Sequence, residues 1–391
     1  MKLLIVTIDD FPHQGGKSSH ISSLISGFKK MNVEYDVFSG NYINVNEFKM
    51  LKLLVYPIKF FSLKKYLYLR KKIQLYLFRK ELKKYIKNKE YDTISFQDAI
   101  TCGYCGDLFD KSFLTMHTYF GIEYTLDNSG FTLNDKLYNK LLNQELKSLL
   151  YAKSIICVDD RIKKHVEEIV KKENKKIKVF EISNFTDTEI FKPSLKQNEF
   201  YNIGCIRRLV EKNGVIYAVK AMKYLKNCNC ILNIYGEGPC MEEINAYIEK
   251  NKLNDIVKLH GGVDNSKISE IYKECDVVLV PSITVNGLQE ATSISAIESM
   301  ACGIPTIASN IGGLKMLIKD GITGFLVDEK EPEQISEKIK LLMKNNDIYK
   351  EISENCRNFI VENHSHLSAA KDYYNIFKGD INEKSSNNDL S

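Results

Sequence analysis

The sequence predicts an α/β protein made of two doubly wound parallel-sheet domains in tandem, and three observations carry that reading. Short apolar runs alternate with amphipathic stretches along almost the whole chain. The alternation breaks once, around Lys192-Pro193, where residues 194–199 are polar, and then resumes. The length of 391 residues, with 44% apolar residues, is enough for two or three ordinary cores. A single small binding module and a disordered chain are both excluded.

The opening run from Lys2 to Ile8, followed by Asp9-Asp10, is too short for a signal-peptide core and lacks a small-residue cleavage site. It reads as a buried parallel strand. Further strands are expected at 35–38, 93–96, 113–116, 154–158 and 179–182, with helices at 19–30, 75–87, 134–150 and 161–172. In the 75–87 helix, Leu75, Phe78, Leu82, Tyr85 and Ile86 recur at helical spacing opposite Arg79, Lys80, Lys83, Lys84 and Lys87. The second series places strands at 201–205, 230–235, 257–260, 277–280, 306–309 and 325–327. Helices alternate with them at 215–222, 240–250, 267–274, 294–301 and 335–344. The domains are thus expected at 1–193 and 200–365, joined by a linker at 194–199. A helix at 366–378 is expected to return to the first domain, and a polar, disordered tail at 379–391 to follow. Ligands of such sheets bind at the carboxyl ends of strands, so a cleft between the two domains is the expected site.

Charge and cysteines narrow the setting. Residues 49–90 hold fourteen Lys/Arg against Glu81 and Glu90, a local +12, while the chain as a whole is +5. Within 50–68, Leu51, Leu53, Leu54, Val55, Phe60, Phe61, Tyr66, Leu67 and Tyr68 interleave with lysines. That mixture suits peripheral contact with an anionic membrane face. No nucleic-acid partner is expected, because the segment lacks any reader motif. No apolar stretch approaches the roughly 18 residues of a membrane span. Ten scattered cysteines, with Cys102/Cys105 and Cys228/Cys230 lacking a second ligand pair at zinc spacing, read as free thiols in a reducing cytoplasm.

The densest chemical signal runs from Gln289-Glu290 to Gly303-Ile304-Pro305. Thr292 and Ser293 lie where a helix N-cap is wanted, Gly303 where a helix must stop, and Pro305 just beyond. A helix starting near 293 puts Glu290 in the loop before it and Glu298 about a turn and a half inside, among Ala296, Ile297, Met300 and Ala301. Its open N-terminus is an anion site, and the two carboxylates are acceptors for sugar hydroxyls. Arg207-Arg208 and Lys212, before Gly214, lie on a strand-to-helix loop within reach of a diphosphate. Gly236-Glu237-Gly238-Pro239 ends another strand, where glycines permit close backbone approach. In the first half, Gly15-Gly16 precede a helix containing His20, and His117 directly follows a strand.

Together and in this order, these pieces resemble the retaining GT-B-fold glycosyltransferases of the large "group one" family, over essentially the whole chain. The likeness is strongest at Arg208 to Gly214, Gly236 to Pro239, Val280-Pro281-Ser282, the Glu290/Glu298 pair and Glu298 to Pro305. Gly312-Gly313 and Asp320 to Val327 continue it, and Asn184, Asp187 and Phe191 to Pro193 resemble the segment entering the family's linker. The resemblance implies two Rossmann-like domains facing across a cleft. Three departures stand out: Ala291-Thr292-Ser293 replaces the family's Gly-Phe-Gly, residues 283–288 lengthen the preceding loop, and Met316 stands where many members carry Glu.

By resemblance, Arg208 and Lys212 neutralise the leaving diphosphate, Glu290 holds the donor sugar and His117 reaches the sugar's reacting centre. Glu298 binds the ribose hydroxyls, and Gly15 and Gly16 approach the diphosphate or the acceptor. Gly236, Glu237, Gly238, Thr292, Ser293 and Ile294 complete the donor site. The implied donor is a nucleoside diphosphate sugar, uridine-linked by family default, and the implied acceptor is a saccharide or a lipid-linked molecule in polysaccharide or glycolipid biosynthesis. No metal or other cofactor is expected, since the family needs none and no Asp-x-Asp motif is present. Two rivals share the fold: a sugar-nucleotide 2-epimerase and a non-catalytic glycosyltransferase-like subunit.

Overall fold

The computed structural model describes residues 1–13, 15–121, 131, 135–194, 200–287 and 289–379. The expected linker, apart from Ser194, lies outside the described residues, as do Leu288 of the lengthened loop and the tail from 380. The chain divides into two units. Unit 1 comprises Met1–Phe11, Phe28–Ser183 and the chain from Ala370 onward; unit 2 comprises Pro12–Gly27 and Asn184–Ala369.

In chain order the first elements are β1 (Lys2–Val6), α1 (Gly16–Lys30), β2 (Glu34–Phe38), α2 (Val45–Val55), α3 (Ile58–Phe61), α4 (Leu63–Ile86) and β3 (Thr93–Phe96). Then come α5 (Ala99–Cys105), β4 (Ser112–Met116), α6 (Lys136–Leu146), β5 (Ala152–Cys157), α7 (Asp160–Lys172) and β6 (Lys178–Glu181). The six strands form one parallel sheet in the order β2-β1-β3-β4-β5-β6. Leu3, Leu4, Ile5 and Val6 are fully buried, as a central strand covered on both faces requires.

The helix expected at 75–87 is the second half of the longer α4, which starts at Leu63 behind Ser62, whose hydroxyl accepts from the Lys65 N–H. Two unforeseen helices precede it. α2 starts behind Asn44, whose side chain accepts from the Asn46 and Glu47 N–H groups. Because α2 and α3 bury none of their residues, they show no core-facing stripe to read from the sequence. The helix expected at 134–150 begins at Lys136 behind the Asp135 cap and tightens into a 3-10 turn at Lys147; position 134 is outside the described residues.

The second series is β7 (Tyr201–Ile206), α8 (Val215–Ala221), β8 (Cys230–Tyr235), α9 (Met241–Lys250), β9 (Val257–Gly261), α10 (Asn265–Glu274) and β10 (Val277–Val280). It continues with α11 (Ile294–Ala301), β11 (Thr306–Ser309), α12 (Leu314–Leu317), β12 (Phe325–Val327), α13 (Pro332–Lys344), α14 (Asn346–Asn363) and α15 (His366–Lys378). The sheet of unit 2 is again parallel, in the order β12-β11-β10-β7-β8-β9. Its two faces carry separate cores, and β10 feeds both: Val277 and Leu279 join Ile203, Leu232 and Ile339, whereas Val278 and Val280 join Ile297, Met300 and Ile360. Strand order reverses between β7 and β10, which are direct neighbours. Their carboxyl ends therefore open a crevice of the kind that receives ligands in doubly wound sheets. All ten cysteines are free thiols. No described helix is long and apolar enough to cross a membrane.

Candidate active site

The loops leaving β7 and β10 meet at this switch point. Past the end of β7 the backbone keeps its extended pairing, with the Arg207 N–H donating to the Tyr235 carbonyl and the Leu209 N–H to the Glu237 carbonyl, both at 2.9 Å. Successive side chains of an extended segment point to opposite sides. Arg207 is accordingly buried and Arg208 exposed. Gly214, at φ +59, holds the two loops together, since a Cβ there would strike the Pro281 carbonyl. The Ile283 N–H donates to the Lys212 carbonyl at 2.8 Å, closing the same contact.

Arg207 is the centre of the cluster. Its Nη2 lies 3.1 Å from Glu290 Oε2 and donates to Asn213 Oδ1 at 3.0 Å, while Nη1 donates to Ser293 Oγ at 3.1 Å. Lys212 Nζ stands 3.9 Å from the same Glu290 oxygen and remains 42% exposed. Burial alone would push the Glu290 carboxyl up, but the charges of Arg207 and Lys212 outweigh it and hold the group below the usual range. Glu290 is therefore ionised at neutral pH.

Ser293 has N-cap backbone geometry for α11 but makes no capping bond with its side chain. Its hydroxyl is taken by Arg207 and also lies 3.0 Å from Ser295 Oγ. The first-turn amides of α11 thus receive no acceptor from the cap side chain, which suits an anion. Thr292 is fixed by Asn184, whose Nδ2 donates to the Thr292 carbonyl at 2.9 Å and to its hydroxyl at 3.2 Å. The other amide atom, Asn184 Oδ1, is 3.2 Å from His20 Nδ1. Burial pushes the His20 imidazole down to about 4, so it is neutral. Gly15 and Gly16 stand at the start of α1, where a Cβ on Gly16 would lie 3.4 Å from Ile294 Cγ1. On the other side of the loop the Gly313 N–H donates to the Glu290 carbonyl at 2.9 Å, and a Cβ on Gly313 would press on the Ala291-Thr292 peptide.

Glu298 is 4% exposed. Burial pushes its carboxyl up to about 8, only partly offset by hydrogen bonds from Tyr272 and Ser19. The Tyr272 hydroxyl oxygen lies 3.1 Å from the Ser295 carbonyl and 3.2 Å from Glu298 Oε2. One phenol proton can serve only one of these oxygens, and a protonated Glu298 serves the other by donating to the phenol.

The glycines of Gly236-Glu237-Gly238 answer first to the protein's own chain: a Cβ on Gly236 would strike the Arg207 carbonyl, and one on Gly238 the Leu209 carbonyl. Glu237 is exposed, and its Oε1 accepts from the Gly262 N–H at 3.1 Å. His117 belongs to unit 1, where it follows β4 and its Nε2 lies 3.1 Å from Gln97 Oε1. Of the residues proposed from sequence, unit 2 thus brings together Lys212, Glu290, Thr292, Ser293, Ile294, Glu298, Gly15 and Gly16. Arg208 and Glu237 face solvent, and His117 is in the other unit. Arg207, Asn213, Asn184 and Tyr272 carry weight that the sequence reading did not give them. For Arg207, alternation past a strand end says that one of the two adjacent arginines turns inward but not which one.

Residues 186–359 match the family described as glycosyl transferases group 1. An uncharacterized glycosyltransferase of Methanocaldococcus jannaschii is 27% identical over 367 residues, which cover 92% of this chain and 93% of the relative. A putative colanic acid biosynthesis glycosyltransferase of Salmonella typhimurium is 29% identical over 137 residues, 34% of each chain. Among solved structures, Anabaena HepE in complex with UDP-glucose aligns with a TM-score of 0.69 over 97% of this chain and 100% of that one. At 14% identity that likeness is one of fold.

Proposed function

From the match of residues 186–359 to the glycosyl transferases of group 1, we propose that the chain moves a sugar from a nucleoside diphosphate sugar to a hydroxyl of a saccharide or lipid-linked acceptor in polysaccharide or glycolipid assembly. The observation that carries this reading is the Arg207–Glu290–Lys212 cluster at the β7/β10 switch point, beside the uncapped start of α11. In the reaction the bond between the anomeric carbon and the diphosphate oxygen breaks, the acceptor oxygen bonds to that carbon, and the acceptor proton leaves with the diphosphate. Lys212 and Arg208 are exposed cations that can meet the departing charge, and the α11 amides add partial positive charge. Arg207 is already engaged inside the protein and keeps Glu290 ionised, ready to accept from sugar hydroxyls. Glu298 takes the ribose diol.

Retention of anomeric configuration belongs to the same proposal. Glu290 is clamped by two cations, which disfavours it as a nucleophile and favours same-face displacement over a covalent intermediate. The UDP-glucose bound to the Anabaena neighbour supports a uridine-linked donor. The colanic acid relative supports a cell-surface polysaccharide setting. The free thiols accord with a cytoplasmic site of action.

The test is a thermal-shift screen of nucleoside diphosphates and their sugars, followed by product analysis. A ligand at a hundred times its Kd stabilises by about 2.7 kcal/mol, so UDP should raise the melting temperature of the parent and not of Lys212→Ala. No shift with any nucleoside diphosphate would sink the donor assignment. Release of an epimerised sugar without transfer would favour the epimerase instead.

A further inference from the structure

Unit 1 carries a surface that sugar transfer does not use. α2 contains Phe48, Met50, Leu51, Leu53, Leu54 and Val55, yet buries none of them, and α3 buries nothing either. Leu53 is 69% exposed, Leu54 71%, Phe60 79% and Phe61 90%. At roughly 150–250 Å² per aromatic side chain, Phe60 and Phe61 alone leave on the order of 300 Å² in water. That already matches the largest apolar patch of a typical soluble monomer. The patch is anchored, because the Tyr56 ring packs edge-on against Phe60 at 5.8 Å and against the buried Tyr66 of α4 at 6.0 Å.

Cations surround these side chains. Toward the far end of α4 and just beyond it, four of the basic residues are paired within the protein: Arg79 with Asp107, Lys80 with Glu47, Lys84 with Glu81 and Lys89 with Asp36. Lys64 is likewise held by Asp135 at 2.9 Å. Lys49, Lys52, Lys59 and Lys65, which flank the apolar side chains, make no ion pair among the described residues. Outside 49–90 the chain has 41 Lys/Arg against 48 Asp/Glu, a net −7, so an anionic surface would attract this segment and repel the remainder.

We propose that the α2–α3–α4 surface of unit 1 seats on an anionic phospholipid bilayer. Leu53, Leu54, Phe60 and Phe61 enter the boundary between headgroups and acyl chains, and Lys49, Lys52, Lys59 and Lys65 lie on the lipid phosphates. The mixture of side chains selects a bilayer over a protein partner. Cores of protein–protein interfaces are depleted of lysine, whereas interfacial helices pair Leu and Phe with lysines whose stems extend to the headgroups. The inference is independent of the transfer reaction and is read without donor or acceptor.

Co-sedimentation of the full chain with phosphatidylcholine vesicles, with and without phosphatidylglycerol, tests it. Binding should require phosphatidylglycerol and weaken with salt. At about fivefold per lysine, Lys49→Glu with Lys59→Glu and Lys65→Glu should reduce partitioning at least tenfold. Phe60→Ser with Phe61→Ser should reduce it comparably while melting like the parent, since both side chains are already in water. Equal binding to both vesicle types, binding to neither, or parent-like binding by either variant would overturn the proposal. So would a dimer that dissociates in the Phe60→Ser/Phe61→Ser variant while the parent ignores vesicles; that result would assign the surface to self-association.

Discussion

Replacing Glu298 by Gln should make the ligand-free protein more stable above neutral pH, and the structure sets the size of the effect. The carboxyl is 4% exposed, with Tyr272 and Ser19 as its hydrogen-bond partners. A glutamate that titrates near 4.5 in an unfolded chain titrates near 8 here, chiefly because burial penalises the charge. Between those two values the folded protein holds a proton that the unfolded chain has released, so stability falls as pH rises through the window and levels off above it. At about 1.36 kcal/mol per pH decade, the ionised form costs on the order of 5 kcal/mol. Gln keeps the shape and both hydrogen-bonding senses but never ionises. At about 2–4 °C per kcal/mol for a domain of this size, Glu298→Gln should melt at least about 5 °C above the parent at pH 8.5. The two should converge near pH 5. The neutral, buried His20 acts in the opposite sense, its contribution being lost as pH falls from 6.5 toward about 4; it cancels in the difference between variant and parent. Calorimetric melting across pH 5 to 9 is the assay. Parallel curves for the two proteins would refute the reasoning, because they would mean that Glu298 is ionised at little cost in the folded state.

Arg207→Met should cost about 3–5 kcal/mol of stability, since it removes the nearer of the two cations that face the buried Glu290 carboxylate. Arg208→Ala should melt like the parent yet lower transfer roughly a hundredfold; calorimetry and donor turnover on the same samples separate the two arginines. Transfer should survive EDTA, and loss of activity restored by magnesium or manganese would show that the cations described here are not sufficient. His117→Ala should melt a few degrees below the parent, because it leaves the buried Gln97 Oε1 without its partner, yet stay folded while lowering turnover; unchanged turnover would remove His117 from the reaction.

Much of the architecture was legible in the order of residues. Alternating apolar and amphipathic runs are a local property, so twelve strands and most of the helices could be placed from periodicity, and Ser293, Gly303 and Pro305 marked the ends of α11 through their own backbone preferences. Glu290, Thr292 and Ser293 were recognisable as one loop before a helix for the same reason, whereas Lys212, on the loop after β7, was joined to them only through the family resemblance. α2 and α3 were not legible, because a helix that packs no face against a core has no stripe to display. Nor could the sequence choose between Arg207 and Arg208. Which of two adjacent arginines turns inward depends on the phase of β7, and that phase is set by its pairing with β8 and by the carboxylate that β10's loop delivers to one side. The same holds for the switch point itself, which exists only once β7 lies between β10 and β8. Glu298 makes the point for chemistry: its place on a helix follows from spacing, but its protonation depends on how completely Tyr272, Ser19 and the surrounding apolar side chains exclude water, a property of packing between segments distant in the chain.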